Sequence, residues 1–269
     1  MRFVSFDPLR TLGFPDTLIL KPEHMQDHAA ALASAERVLF PEYWQLSALL
    51  YVHRARIFPS EASYRIGHNK IEMTRAFQAL VPRHVPETLI AANTPTEAER
   101  LFDALPLPFV AKAPKSSRGE GVWLIETAAD WRRYLACSAV LYVQEYLPID
   151  RDLRVVVVGD RVRAAYWRKQ SPYSFHNNVA RGGEVEHAAV PQSALTLVSE
   201  VARRLGVDHA GFDVAMVGDH PYLFELNRLF GTQGLPGGDA ALRECLLQWL
   251  QRPADSGLDP HQHAGDGAG

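Results

Sequence analysis

The feature that most constrains this chain is an apolar hairpin near its end that carries polar side chains. Residues 210–227 read AGFDVAMVGDHPYLFELN, in which a turn at 218–221 separates two aliphatic and aromatic runs. This pattern predicts an antiparallel β-hairpin in the interior of a sheet. Asp213, Glu225 and Asn227 interrupt the hairpin, and a buried carboxylate is costly unless it is paired or bound to a cation.

The spacing of these three side chains indicates a metal site. Glu225 and Asn227 are two residues apart on one strand and therefore point to the same face. Asp213 joins that face only if the turn contains an odd number of residues. Oxygen ligands of this kind suit Mg²⁺, which completes its octahedron with phosphate oxygens and water. The alternative is a solvated outer face of an amphipathic hairpin.

Composition describes an ordinary globular protein. The chain has 269 residues, 47% of them hydrophobic and 22% charged, which is enough for one large domain or two to three small ones. A formal charge of −3 supplies no basic field for nucleic acid. Cys137 and Cys245 lack a CxxC spacing, and no apolar run reaches membrane-spanning length. We therefore expect a cytoplasmic protein with no nucleic-acid or membrane partner, and the sequence leaves monomer and homo-oligomer both open.

The order of predicted elements divides the chain into four parts. Residues 1–66 alternate short apolar runs with helical stretches and predict a small βαβ-type domain with parallel strands. Residues 67–146 and 147–252 each combine strands and helices, which predicts two α+β subdomains. Residues 253–269 are rich in Gly, Asp, His and Ala without an apolar period, and we expect them to be disordered.

A second polar segment interrupts a predicted hairpin in the 67–146 part. The strand FVAKA at 109–113 contains Lys112, and the sequence PKSSRGEG at 114–121 connects it to a strand at 122–125. Glycines allow close approach of a ligand to the backbone and cations attract phosphate, so this loop is suited to binding phosphate. It is not a Walker loop, because no GxxxxGK[ST] is present. The alternative is a simple flexible turn.

Other local signals complete the prediction. Helices are expected at 70–80, from Thr94 to about 105, after Thr127, at 193–205 and at 239–249. Strands are expected at 140–147, 152–158 and 161–168, and the last two are joined by a turn at Gly159 and Asp160.

The order of these motifs resembles the ATP-grasp superfamily. More narrowly, it is similar to the glutamate-adding ligases related to the ribosomal protein S6 modification enzyme. The resemblance covers about residues 69–234, and its most specific parts are the terminal Asp…Glu-x-Asn and the Asp-x-Arg…Arg…Asn…Gly-Gly series. It implies a fold with a small N-terminal domain followed by two α+β subdomains that clasp ATP between them.

The resemblance implies a role for each matching residue. Lys70 and Lys112 would contact the nucleotide phosphates, and the loop with Ser116, Ser117, Gly119 and Gly121 would close over them. The hinge at Glu145, Tyr146 and Leu147 would hydrogen-bond adenine, and Asp152 would reach the ribose. Asp213, Glu225 and Asn227 would hold Mg²⁺, with Mn²⁺ as an alternative ion. The implied catalytic residues are Arg168, Asn178 and Arg154, and Arg154 either acts in the site or orients Asp152 through a bidentate pair.

The expected activity is that of an ADP-producing ligase. Joining a carboxylic acid to an amine in water requires an activated acyl group, and phosphorylation by ATP supplies it. Such transfer is catalysed by positioning and by neutralising oxygen charge. The substrates would be ATP, a carboxylic acid and an amine, drawn from amino acids, peptides or small molecules. Alternative functions are an ATP-grasp kinase for a small molecule and a nucleotide-binding scaffold without turnover.

The sequence departs from the family pattern at two positions. Arg228-Leu-Phe follows Asn227 where the family has small residues and a proline, and His176 stands where an arginine is common. Both positions lie on the acceptor side of the site, so the identity of the acid and the amine stays open.

Overall fold

The computed structural model describes residues 2–115, 121–169 and 184–252, and these form three β-sheets. The first sheet is parallel with strand order β2-β1-β3-β4, as predicted for the N-terminal part. Its elements are β1 (Phe3–Ser5), β2 (Thr17–Ile19), α1 (Ala29–Ser34), β3 (Arg37–Leu39), β4 (Ile57–Phe58) and α2 (Glu61–Ile66). Helical turns run from 43 to 52 and end in a π-helical segment at Ala48–Val52, within one of the helical stretches predicted for this part.

The helix α3 (Lys70–Leu80) connects the first sheet to the second and has the predicted bounds. The second sheet is antiparallel with strand order β5-β8-β6-β7. Its elements are β5 (Thr88–Ala92), α4 (Pro95–Ala104), β6 (Phe109–Lys112), β7 (Val122–Ile125), α5 (Ala128–Cys137) and β8 (Val140–Glu145). Both helices pack on one face, where Leu101 and Trp131 contact a core that includes Phe109.

The third sheet carries most of the polar residues singled out by the sequence. Its strand order is β11-β10-β9-β12-β13. Its elements are β9 (Arg151–Val158), β10 (Arg161–Lys169), β11 (Glu184–Glu186), α6 (Gln192–Leu205), β12 (His209–Val217), β13 (His220–Asn227) and α7 (Gly238–Leu250). The predicted turn at Gly159 and Asp160 joins β9 to β10, which pair antiparallel.

The two faces of the third sheet have different cover. One face packs on α6 and also on Met73 and Phe77 of α3, so α3 shares its core with the third sheet rather than with the second. On the other face, Val156 and Val158 pack with α7 and with aromatic residues of the first sheet. Alternation along β9 therefore sets Asp152 and Arg154 on the same face as Val156, toward the N-terminal end of the strand. None of the helices in the described ranges has the length and hydropathy needed to cross a membrane.

Candidate active site

The hairpin of β12 and β13 sets Asp213 directly opposite Glu225. The turn itself contains two residues, Gly218 and Asp219, because Val217 pairs with His220. The expectation that an odd turn is required is therefore wrong. The pairing shifts between Asp213 and Val214, which leaves Phe224 as the extra residue of a β-bulge. This single extra residue brings Glu225 to the face that carries Asp213.

The three predicted metal ligands meet on that face. The Asn227 amide nitrogen donates to Glu225 Oε1 at 3.0 Å and lies 3.4 Å from Asp213 Oδ2. The Asn227 side-chain amide is therefore held beside two carboxylates, with its nitrogen toward them. The structure brings this predicted set together.

Four charged side chains form a buried network behind the metal ligands. Arg154 donates to Asp213 through Nε at 2.6 Å and Nη2 at 3.2 Å. Arg168 donates to Asp152 through Nε at 2.7 Å and Nη2 at 2.6 Å, and its Nη2 also lies 3.0 Å from Asp213 Oδ1. The alternative in which Arg154 orients Asp152 through a bidentate pair is therefore wrong, since Arg154 binds Asp213. Strand order explains this, because Arg154 is the cross-strand neighbour of Asp213 while Arg168 lies opposite Asp152.

Burial makes this network sensitive to the loss of any member. All four side chains are at most 8% exposed as residues. Burial works against the charged form of Arg168, but Asp213 and Asp152 outweigh it and raise the pKa of that guanidinium above its ordinary value. Burial raises the pKa of Asp152 to about 6 against the opposing effect of Arg168, so this carboxylate is ionised at neutral pH. Removing one partner of such a buried pair costs about 3–5 kcal/mol.

Two lysines approach the metal ligands from the other side. Lys70 begins α3, which is capped by the Asn69 side chain, and its Nζ lies 3.6 Å from Glu225 Oε2. The backbone amide of Lys70 donates to the Pro114 carbonyl at 3.0 Å, which joins the start of α3 to the end of β6. Burial alone raises the pKa of Glu225, but Lys70, the Asn227 hydrogen bond and Lys112 outweigh it and lower that pKa overall.

Lys112 lies between residues of β8 and β13. Its Nζ donates to Gln144 Oε1 at 2.7 Å and lies 5.3 Å from the centre of the Phe224 ring. Burial lowers the pKa of Lys112 to about 8, although Glu225 favours its charged form. The buried Gln144 is held in turn by the Thr88 hydroxyl, to which its amide donates at 2.8 Å. The sequence analysis assigns no role to Gln144. The signal that could have indicated one is a polar residue in the otherwise apolar strand VLYVQ.

The predicted adenine hinge lies where the second sheet passes to the third. Glu145 ends β8, and its Oε1 accepts from the Glu87 amide at 2.7 Å. Leu147 is buried, and its carbonyl accepts from the Ile149 amide at 2.9 Å, which turns the chain toward β9. Tyr146 stands between these two anchored residues. This segment therefore links the second sheet to the third.

Several predicted positions lie outside the described residues. These are Ser116, Ser117, Gly119, His176, Asn178 and the whole 253–269 segment. Gly121, at the far end of the predicted phosphate loop, has a φ of 68° and its carbonyl accepts from the Ala113 amide at 2.7 Å. This bond closes the base of the β6–β7 hairpin, and the left-handed conformation suits glycine.

The donor set is suited to Mg²⁺. Asp213 and Glu225 supply two carboxylates and Asn227 one amide oxygen, and Mg²⁺ binds through few protein ligands of this type plus phosphate and water. In the described ranges no three His, Cys, Asp or Glu side chains form a group that could hold a metal ion, which agrees with a site of two carboxylates and one amide. Among the described residues, four cations and three carboxylates converge here, and the excess positive charge suits an anionic ligand that arrives with its metal.

Comparison with known proteins identifies the family. Residues 71–242, well over half of the chain, match the RimK-like ATP-grasp domain. The chain belongs to the RimK-like ATP-grasp family. It is 32% identical over 224 residues to a probable alpha-L-glutamate ligase of Citrobacter koseri, covering 79% of this chain and 73% of the relative. The protein is accordingly an ATP-dependent ligase that joins a carboxylate to an amine.

Solved structures support the same ATP-grasp fold. A RimK domain protein from Sphaerobacter thermophilus superposes with a TM-score of 0.71 at 16% identity, covering 94% of this chain and all (100%) of the other. The ATP-grasp ligase PsnB, in a complex with a precursor variant, Mg and ADP, gives a TM-score of 0.68 at 17% identity, covering 93% and 98%. The expected fold, with three α/β parts, is confirmed.

Proposed function

We propose that this RimK-like ligase activates its acid as an acyl phosphate and releases ADP and inorganic phosphate. In the first step a carboxylate oxygen attacks the terminal phosphorus of ATP, and the bond from that phosphorus to ADP breaks. In the second step the amine nitrogen attacks the acyl carbon, phosphate leaves, and the nitrogen loses a proton. The observation that carries the proposal is the convergence of Lys70 and Lys112 on Glu225, opposite Asp213.

Each charged group has a part in this scheme. Phosphoryl transfer needs positioning and charge neutralisation more than a nucleophilic side chain. Lys70 and Lys112 would neutralise phosphate oxygens of ATP. Until the nucleotide binds, their ammonium groups are held near the Glu225 carboxylate. When bound between Asp213, Glu225 and Asn227, Mg²⁺, or Mn²⁺ with the same ligands, would supply further positive charge to the distal phosphates.

The buried network would keep this site in position. Arg154 and Arg168 both bind Asp213 Oδ1 and so would hold one predicted metal ligand in a single orientation. Arg168 uses Nε and Nη2 for these bonds, and its Nη1 makes no hydrogen bond in the described ranges. This nitrogen would meet the phosphoryl group during transfer. Asn178 would act on the same group, as the family pattern implies.

We further propose that the amine is an amino acid whose carboxylate binds Arg228. Arg228 directly follows Asn227, and its guanidinium lies 4.4 Å from the centre of the Tyr64 ring. Tyr64 is fully buried and donates to the Pro41 carbonyl at 2.6 Å. The Arg228 carbonyl accepts from His209 Nδ1 at 2.9 Å, so both its backbone and side chain are held. Its guanidinium makes no ion pair in the part of the chain that the structure describes.

Product analysis tests the chemistry. Phosphorus NMR with Mg²⁺, ATP and candidate acids and amines, supplied singly and then in pairs, should show ADP and phosphate that depend on both substrates. Asp213→Asn and Glu225→Gln should each remove most turnover, because they delete ligand charge and little volume. Formation of AMP would refute the scheme, and a stable phosphorylated product without an amide would favour the kinase alternative.

The Arg228 proposal has a separate test. Arg228→Gln should raise the KM for an amino-acid amine about tenfold or more, whereas an analogue without the carboxylate should react equally well in both proteins. Arg228→Lys should recover part of the loss, and Arg203→Gln on the exposed face of α6 is the control. If Arg228→Gln lost the same activity with both amines, Arg228 would have a structural role. The proposed release of ADP and phosphate would not be affected by that result.

A further inference from the structure

Three neighbouring strands of the first sheet have an arginine at or just before their first residue. Arg2 precedes β1, Arg37 begins β3 and Arg56 precedes β4. The sheet is parallel, so the beginnings of these strands lie along one edge. The pairing of Val38 with Ile57 sets Arg37 beside Arg56. Neighbouring strands are about 4.8 Å apart, so these arginines start close to one another at the edge of the sheet.

A cavity of about 480 Å³ opens at this edge of the sheet. It lies between the end of α1, the strand beginnings and the last residues of α7, and this volume falls in the range of small-molecule sites. In the described part of the chain, the charged side chains that line it are five arginines and one glutamate, namely Arg2, Arg37, Arg54, Arg56, Arg252 and Glu36. The chain as a whole has a formal charge of −3, so this concentration of positive charge is local.

Some of this charge is neutralised by the protein itself. Arg2 pairs with Glu36 at 3.1 Å, and Arg252 donates to Asp160 outside the cavity at 3.0 Å. Arg54 and Arg56 form no ion pair in the described ranges. Cations gathered in a concave site raise the local positive potential, which attracts anions.

Arg54 also has an unusual backbone conformation. Its φ is 52°, in the left-handed region that residues other than glycine seldom adopt. Strained residues of this kind occur preferentially at ligand sites, where the surrounding structure holds them in place. The conformation therefore adds a second observation, independent of charge, at the same cavity.

The cavity is separate from the candidate active site. Among the described residues, its lining contains none of those assigned to ATP, metal or the amine. An anion bound here would contact the N-terminal part of the chain and the end of α7. It would not contact the reacting atoms.

We propose that this arginine cavity binds a small anion that carries two or more phosphate or carboxylate groups. Guanidinium groups form bidentate hydrogen bonds with both kinds of group, and an anion with several charges can bridge arginines on adjacent strands. A bound anion would also relieve the repulsion between Arg54 and Arg56. The ligand is a second small molecule, distinct from the substrates of the ligase reaction.

Calorimetry on the full chain tests the proposal with two probes, tripolyphosphate and citrate. The test variant is Arg54→Asn/Arg56→Gln, in which asparagine is chosen because it tolerates the left-handed conformation. The control variant is Arg132→Gln/Arg203→Gln, which removes the same charge from exposed helix positions. Neither variant changes the candidate active site, so any binding of a probe there should be the same in all three proteins. The test is therefore the difference in affinity that depends on Arg54 and Arg56.

At least one probe should bind the wild type and the control about tenfold more tightly than the test variant. Binding of tripolyphosphate alone would identify phosphate as the ligand group, and binding of citrate alone would identify carboxylate. Equal weakening in the test and control variants would reduce the effect to net charge and overturn the proposal. Equal binding by all three proteins, or binding by none, would overturn it as well.

Discussion

Replacing Lys112 by methionine should make the ligand-free protein more stable. The pKa of Lys112 falls from its ordinary value of 10.5 to about 8, because burial penalises the charged form more than Glu225 favours it. That difference corresponds to about 3 kcal/mol of unfavourable free energy, and about 2 kcal/mol once partial exposure is allowed for. Methionine removes the charge and packs its side chain against Tyr142 and Phe224, which flank the ammonium.

The pH dependence gives this prediction a definite sign. A lysine whose pKa is lowered by folding binds fewer protons in the folded state than in the unfolded state between pH 8 and pH 10.5. Wild-type stability from this group therefore rises with pH across that window, and it is at its lowest below pH 8. The advantage of Lys112→Met should be largest at neutral pH and should vanish as the pH approaches 10.5.

Urea unfolding at several pH values measures the effect, with Lys115→Met, a neighbouring exposed lysine, as the control. The same variant should lose most of the stabilisation that ATP gives the wild type, while its response to adenosine should be unchanged, because the ammonium meets phosphate. A Lys112→Met protein that is less stable than the wild type at neutral pH would refute the argument from burial. Equal losses for ATP and adenosine would refute the assignment of Lys112 to the phosphates.

Two further predictions concern the framework of the site. A Cβ at Gly211 would lie 2.8 Å from Arg154 Nη1, so Gly211→Ala should displace Arg154, cost about 1–3 kcal/mol of stability and reduce turnover. Unfolding and activity assays measure both effects, and Gly231→Ala, which has open space around the new Cβ, is the control. Burial raises the pKa of Asp208 to about 6, although the Ser60 amide donates to it at 2.7 Å. The contribution of Asp208 to wild-type stability therefore falls as the pH rises through 6. The variant Asp208→Asn keeps an acceptor oxygen and should be about 1–2 kcal/mol more stable than the wild type at neutral pH. Below about pH 4 the two proteins should be equally stable, and urea titrations measure the difference.

Elements with strong local signals could be predicted from the sequence. The bounds of α3 agree with the prediction because an asparagine cap and an apolar stripe are properties of the segment itself. The turn at Gly159 and Asp160 and the hairpin of β12 and β13 follow for the same reason. The order of charged residues along the chain was sufficient to indicate the family, since each motif lies within one strand or turn.

Short elements were decided by packing. The strand β1 and the helix α2 were not predicted, because three to six residues carry too little periodicity to be distinguished from a loop. Helix α3 was assigned to the middle part of the chain, yet its apolar side chains pack in the core of the third sheet. No local pattern states which sheet an amphipathic helix will cover. The exact bounds of the subdomains stay a prediction.

The partners inside the site depended on tertiary structure alone. The sequence predicted that Asp152, Arg154, Arg168 and Asp213 lie on strands. It could not predict their partners, because each ion pair joins residues on different strands. Strand order decided that Arg154 binds Asp213 and that Arg168 binds Asp152. The bulge at Phe224 decided that Glu225 faces Asp213, because one extra residue in a strand reverses the face of every side chain beyond it.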